Sequence, residues 1–168
     1  RERHEIAKEY EKERIEVDIL ITRCLELSVD SVIIADDLAG ESSTFVDPHE
    51  IQDLFSSFYI QAVSKIHRGR SYALFHSCGN IKGLVPKLLS FGFDGLAAIQ
   101  HRTNDLIGLK EKYGSNLTLM AGIDAEILEA GQISLSSLKE FEKLLKYLAS
   151  QGGFILSSSS GLFSGEFF

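Results

Sequence analysis

The sequence predicts a protein of the α/β class, with parallel strands alternating with helices. Three observations carry that prediction. Five short apolar runs recur along the chain, each with few polar interruptions, as strands buried on both faces require. Helix-length segments with capping signals separate the runs. Glycine marks most of the helix ends. An order α-β-α-β-α-β-α-β-α-β implies a parallel sheet covered by helices. Five such strands fit an open flavodoxin-like sheet, or the later part of an eight-stranded barrel of roughly 250 residues.

Residues 1–16 are dense in Glu, Lys and Arg, with Ile6, Tyr10 and Ile15 as sparse apolar positions, so they read as a solvated helix face. From Val17 to Leu27 the helix becomes more apolar and is expected to enter the core. Ser31–Ala35 is a β-branched apolar run and the first strand. Asp47-Pro48-His49-Glu50 is a helix start, with Asp47 as cap, Pro48 at the first helical position and Glu50 completing a capping box. That helix should run to about His67 and end at Gly69. The second strand is Tyr72–Ser77. A helix over Lys82–Ser90 closes at Gly92, followed by a strand at Gly95–Ile99. The next helix, Asn104–Tyr113, ends at Gly114, and the fourth strand is Leu117–Ala121. Asp124 is placed to cap a short helix from Ala125. A helix over Ser134–Ser150 carries Leu135, Leu138, Phe141, Leu145 and Leu148 along one stripe, and Phe154–Ser157 is the fifth strand.

The chain has 168 residues, 44% of them apolar, and a formal charge of -7. Enough apolar surface is present to form a core, which excludes intrinsic disorder. The acidic balance argues against non-specific nucleic-acid binding, which needs clustered positive charge. No apolar run reaches the ~20 residues of a membrane-spanning helix. Cys24 and Cys78 are too few for a secreted disulfide scaffold, so a reducing, cytoplasmic setting is expected. Cys24, set among Ile21, Leu25 and Leu27, reads as a buried structural thiol. The first residue is Arg1 rather than Met, and the chain is expected to be an excerpt of a longer protein.

Parallel α/β folds carry their sites at the carboxyl ends of the strands, and the polar residues here collect at those ends. They are Asp36 and Asp37, then His76 and Cys78, then Gln100, His101 and Arg102, then Asp124, and finally the run Ser157–Ser160. His76-Ser77-Cys78 is the most informative triplet. Residues i and i+2 of a strand share a face, so an imidazole nitrogen and a thiolate sulfur converge on one cation. That pairing suits zinc. The plainer alternative is a strand-end histidine bonded to a carbonyl, beside a buried thiol. Of the adjacent Asp36 and Asp37, at most one points into such a site, as acid/base or oxygen ligand. His101-Arg102 is a candidate for holding an anionic substrate. Gly-rich phosphate loops, Gly-x-Ser-x-Gly elbows and Cys-x-x-Cys pairs are absent from the sequence.

Taken together, the motifs resemble the uroporphyrinogen decarboxylase superfamily over nearly all of the chain beyond residue 20. The residues that carry the resemblance are IIADDLAG at 33–40, VDPHEI at 46–51, ALFHSCGNI at 73–81 and FGFDGLAAIQ at 91–100. NDLIGLKEKYG at 104–114, LMAGIDAEIL at 119–128 and GGFILSSSSGL at 152–162 continue it. The resemblance implies a TIM-like (β/α)8 barrel, of which residues 1–168 are a single partial domain. Its five strands are then the last five of the barrel, without the amino-terminal strands and the final helix. The His-x-Cys-Gly-Asn words are similar to the cobalamin-dependent, methylcobamide:coenzyme M type of methyltransferase. By that resemblance His76 and Cys78 bind zinc. A third Cys is expected in the turn after the last strand, where this chain has Ser160, so Asp37 or a residue from outside the chain is the alternative ligand. Asp37 and Asp124 are implied as catalytic, and Gln100, His101 and Ser160 as substrate-binding. A small thiol is the methyl acceptor, and a corrinoid, carried by a partner protein, is the donor. A tetrapyrrole decarboxylase is the runner-up, with His101, Arg102 and Arg70 as the available cations. A ligand-binding member without turnover is the third reading. Two open sheet edges further predict self-association of the isolated chain as a homo-oligomer.

Overall fold

The computed structural model describes residues 2–124 and 134–159. Helix α1 is Glu2–Glu26 and strand β1 is Ser31–Ala35; α2 is Pro48–Arg68 and β2 is Tyr72–His76. They are followed by α3 at Val85–Phe91, β3 at Gly95–Ile99, α4 at Leu106–Tyr113 and β4 at Thr118–Ile123. Helix α5 at Leu135–Ala149 and β5 at Phe154–Ser158 complete the alternation. All ten elements fall where the sequence places them, with ends differing by a few residues. The short helix expected from Ala125 lies outside the described residues. No described helix is long and apolar enough to cross a membrane.

The strands pair in chain order, β1-β2-β3-β4-β5, and every pairing is parallel. A flavodoxin-like sheet reverses its order part-way, so that helices cover both faces. Unbroken sequential order with right-handed crossovers puts the connecting helices on one face. The chain is therefore a section of TIM-barrel-like wall, and the open-sheet expectation falls away.

Register divides the sheet into two faces. Val32 and Ile34 align with Ala73 and Phe75 and pack under the helices. Ser31, Ile33 and Ala35 align with Tyr72, Leu74 and His76 on the opposite face. There Ile33 and Tyr72 remain 47% and 65% exposed. That face is the inside of the curved wall, and β1 and β5 are its two edges.

Tyr59 of α2 anchors the helical layer. It is fully buried, with Phe75, Phe91 and Phe93 ring centroids at 5.6, 5.7 and 5.9 Å. Each such aromatic pair adds about 0.5–1.5 kcal/mol beyond area burial. Its hydroxyl donates to Asp36 Oδ2 at 2.6 Å, tying the helix to the end of β1. Helix α2 begins as its sequence predicts, with Pro48 in the first turn and Asp47 as cap. The Asp47 side chain accepts from His49 N, one residue earlier than a capping box requires. At the other end the left-handed residue is Arg70 (φ 61°), not Gly69. Gly69 is needed for space, because a Cβ there would lie 2.5 Å from Leu25 of α1.

Two helices bury less than their patterns suggest. Among the α1 side chains whose burial is described, only Ile21 is fully buried, while Ile19, Leu20 and the following Leu27 face outward. Cys24 is half-buried and packs against the core. In α5 only Leu148 is buried, and Leu135 is 81% exposed. These helices flank the two edges of the wall, where the described residues offer them one neighbouring layer instead of two.

Burial first, and then the charges of Tyr10 and Asp36, hold the Tyr59 phenol far above its ordinary value. An unfolded tyrosine ionises at about pH 10. Folding therefore favours the protonated form, and the stability it contributes is present below that pH and lost as pH rises past it. In an alkaline titration the tyrosinate absorbance of Tyr59, identified by difference from Tyr59→Phe, should appear only with loss of helical circular dichroism. Ionisation of Tyr59 in still-folded protein would contradict this.

Candidate metal centre

Parallel pairing delivers the ends of β1 and β2 side by side, with Ala35 opposite His76. Beyond β1 the two carboxylates separate, as adjacent extended residues must. Asp36 turns under the helices to Tyr59. Asp37 stays exposed at the rim and accepts from Cys78 N at 2.9 Å through Oδ1. A carboxylate has a second oxygen to offer.

His76 is the last residue of β2 and is half-buried. Its Nδ1 lies 2.9 Å from the Ala97 carbonyl oxygen. A carbonyl can only accept, so Nδ1 carries the proton and the neutral ring keeps its lone pair on Nε2. Such a bond to a backbone carbonyl is the outer-shell support that metal-binding histidines use. The carbonyl is presented where β3 breaks register between Leu96 and Ile99, with Ala98 at φ 52°. The carbonyl-bonded histidine is the reading observed, and it leaves the Nε2 lone pair facing Cys78 Sγ.

Cys78 Sγ stands 3.7 Å from His76 Nε2. With bonds of about 2.3 Å to sulfur and 2.0 Å to nitrogen, a tetrahedral zinc separates such donors by roughly 3.5 Å. Ligand atoms of Asp37, His76 and Cys78 all lie within 4.8 Å of one another. One oxygen, one nitrogen and one sulfur fit zinc's borderline preferences. They also leave room for a fourth ligand. Burial first, then the Asp37 charge and hydrogen bond, pushes the Cys78 thiol above its ordinary value. A divalent cation would reverse that balance.

The turn after Cys78 is held at every residue. Gly79 N donates to Gln100 Oε1 at 2.8 Å and Asn80 N to Gly40 O at 2.8 Å. Ile81 N donates to Asn104 Oδ1 at 3.0 Å. Gly79 has φ 78°, and a Cβ on it would overlap the Gly40 carbonyl oxygen and come within 2.6 Å of Ala39 O. Before the turn, Ser77 Oγ accepts from Leu38 N at 3.0 Å and so joins the β1 loop to the β2 loop.

The other sequence candidates hold loops. Gln100 spends its carbonyl oxygen on Gly79 N. Asp124 accepts from the backbone of His101 and Arg102, at 2.8 and 2.9 Å, one bond to each oxygen. The Arg102 guanidinium pairs with Glu41 at 2.5 Å, and the His101 side chain is exposed. Arg70 precedes β2, at the rim opposite the site. Ser160 lies outside the described residues. Sequence reading missed Asn104, expected at the start of α4. The cap is Asp105, which accepts from Gly108 N at 3.0 Å. Ser77 was missed as well. The available signal was that both are polar residues flanking the two most motif-rich loops.

The fold is similar to the solved structure of a methyltransferase from Methanosarcina mazei, with a TM-score of 0.65 and 19% sequence identity. The likeness covers 86% of this chain and 40% of that one, so this chain spans less than half of that protein's length. At such identity the likeness establishes the fold, a partial TIM-barrel-like wall. No protein-family profile and no curated protein matches the sequence.

Gly79→Ala should destabilise the protein by roughly 3 kcal/mol or more, combining left-handed strain with overlap against the 39–40 backbone. Denaturant unfolding measures it. A loss under about 1 kcal/mol would show that the two loops separate freely.

Proposed function

We propose that this chain is part of a methyltransferase of the uroporphyrinogen decarboxylase superfamily, and that it holds zinc through Asp37, His76 and Cys78. The observation that carries the reading is the convergence of those three donors within 4.8 Å. The His76 tautomer set by Ala97 O supports it, because it leaves Nε2 available. The structural likeness to a methyltransferase supports the reaction class. A bound zinc would supply Lewis acidity and lower the pKa of a thiol at its open position.

Each residue then has a task. His76 and Cys78 supply the nitrogen and sulfur, and Cys78 gives up its proton as it ligates. Asp37 supplies oxygen, in the place where the resemblance led one to expect a third cysteine. The Gln100 and His101 loop, fixed by Asp124, shapes the mouth through which a small thiol enters. The acceptor is that thiol, and the methyl group comes from a corrinoid carried by a partner protein. Ser160 keeps the substrate-binding role that the resemblance implies. The decarboxylase reading is disfavoured, because Arg102 is paired to Glu41 and Arg70 sits at the opposite rim.

His76→Ala or Cys78→Ser in the full-length protein should abolish stoichiometric zinc, measured by metal analysis after dialysis. Asp37→Asn should weaken zinc by at least the roughly 10- to 100-fold that loss of even an outer-shell partner costs. Methyl transfer from methylcobalamin to a panel of small thiols tests the reaction. Unchanged metal content in both the His76 and Cys78 variants would refute the site, and no turnover across the panel would favour a ligand-binding member.

A chain with the open edges β1 and β5 should also associate with itself or with the rest of its barrel. Size-exclusion chromatography of residues 1–168 alone should show oligomers. A stable monomer would contradict that expectation.

A further inference from the structure

We infer that Asn104 is a positioning residue of the metal centre, setting the place of the Cys78 sulfur through the turn that follows it. This rests on the zinc reading above.

Asn104 is 6% exposed, and every bond its amide makes is short. Oδ1 accepts from Ile81 N at 3.0 Å. Nδ2 donates to Gly79 O at 2.8 Å, to Gln100 O at 3.0 Å and to Thr103 Oγ1 at 3.0 Å. The first two of these four bonds grip the turn on both sides of Asn80. The third fastens the same amide to the end of β3, whose Ala97 carbonyl orients His76. One side chain therefore fixes the sulfur-bearing turn relative to the strand that fixes the imidazole. Thr103 adds a lighter bond from Oγ1 to Gly79 O at 3.1 Å.

The amide is chemically specific to this task. It donates to carbonyls and accepts from an N–H, and only a group with both capacities fits. Asn104→Asp keeps the shape and the acceptor for Ile81 N. It replaces the donor with a carboxylate oxygen facing the Gly79 and Gln100 carbonyls. Repulsion there should swing the turn away and carry Sγ out of reach of Nε2.

The test uses the full-length protein loaded with cobalt(II), whose thiolate charge-transfer band reports a sulfur ligand, and zinc competition against a chelator. Asn104→Asp should weaken zinc by about tenfold or more and diminish the charge-transfer band. Ser71→Ala is the control. Ser71 is also buried and donates to Val29 O at 2.6 Å, but at the opposite rim. It should lower stability and leave the band and the affinity unchanged. If Asn104→Asp does not fold, Thr103→Val carries the test, with a smaller loss in the same direction. Zinc affinity and band within twofold of the parent protein, in folded Asn104→Asp or in Thr103→Val, would overturn the inference. A parent protein that binds neither ion would overturn the zinc reading and this inference with it, so the two failures are distinguishable.

Discussion

The candidate site depends on one close approach. The backbone at Gly79 lies against the backbone at Ala39 and Gly40 with no space for a side chain between them. Parallel pairing brings β1 and β2 to the rim together, but it does not say what happens after the last ladder bond. Two loops leaving adjacent strands usually diverge toward solvent, each satisfying its polar groups there. Here they stay in contact, with Asn80 N donating to Gly40 O and Leu38 N to Ser77 Oγ. Cys78 is thereby held next to Asp37 and within reach of His76.

The remaining rim residues extend the same device from strand to strand. Asp37 serves the β2 loop, Gln100 and Asn104 serve it from β3, and Asp124 serves the β3 loop from β4. In each case a side chain at one strand end satisfies backbone N–H groups of its neighbour. Buried or half-buried amides need such partners. Meeting that need with side chains rather than water makes the rim rigid, and a rigid rim is what a metal site requires. The polar character of the described strand ends is therefore partly structural, and among the described residues Asp37, His76 and Cys78 converge on a point.

Much of this was legible because strand and helix periods and glycine stops are local signals. The five strands and five helices follow from apolar runs, glycine stops and a cap such as Asp47. The donors were legible as a spaced pair, but for an incomplete reason. A strand running to Ser77 would align His76 and Cys78 by its pleat. The strand ends at His76, and the turn delivers the sulfur instead. What local signals miss is long-range pairing. Asn104 looks like a helix cap, and only the fold shows that its partners are 23 and 25 residues away. The break in β3 at Ala98 is equally silent, because alanine carries no preference for a left-handed conformation. The stripe on α5 misled through its regularity: amphipathic pattern records what a helix packs against in its whole fold, and Leu135 and Leu138 have no covering layer among the described residues.

The chemistry of the three groups can be set beside their proximity. A carboxylate beside a thiol makes the thiolate harder to form, and burial adds to that cost. An amide or hydroxyl oxygen could also accept from Cys78 N, though more weakly than the Asp37 carboxylate does. Histidine, with Nδ1 bonded to Ala97 O, adds a further acceptor, Nε2, facing Cys78 Sγ at the same spot. Cys78, held as a thiol, has one S–H to give, and both Asp37 and His76 Nε2 face it, so the spot carries more acceptor atoms than protons. A divalent ion held there would change the sign of each contact: the carboxylate would attract it, the thiol would ionise and the imidazole lone pair would be used.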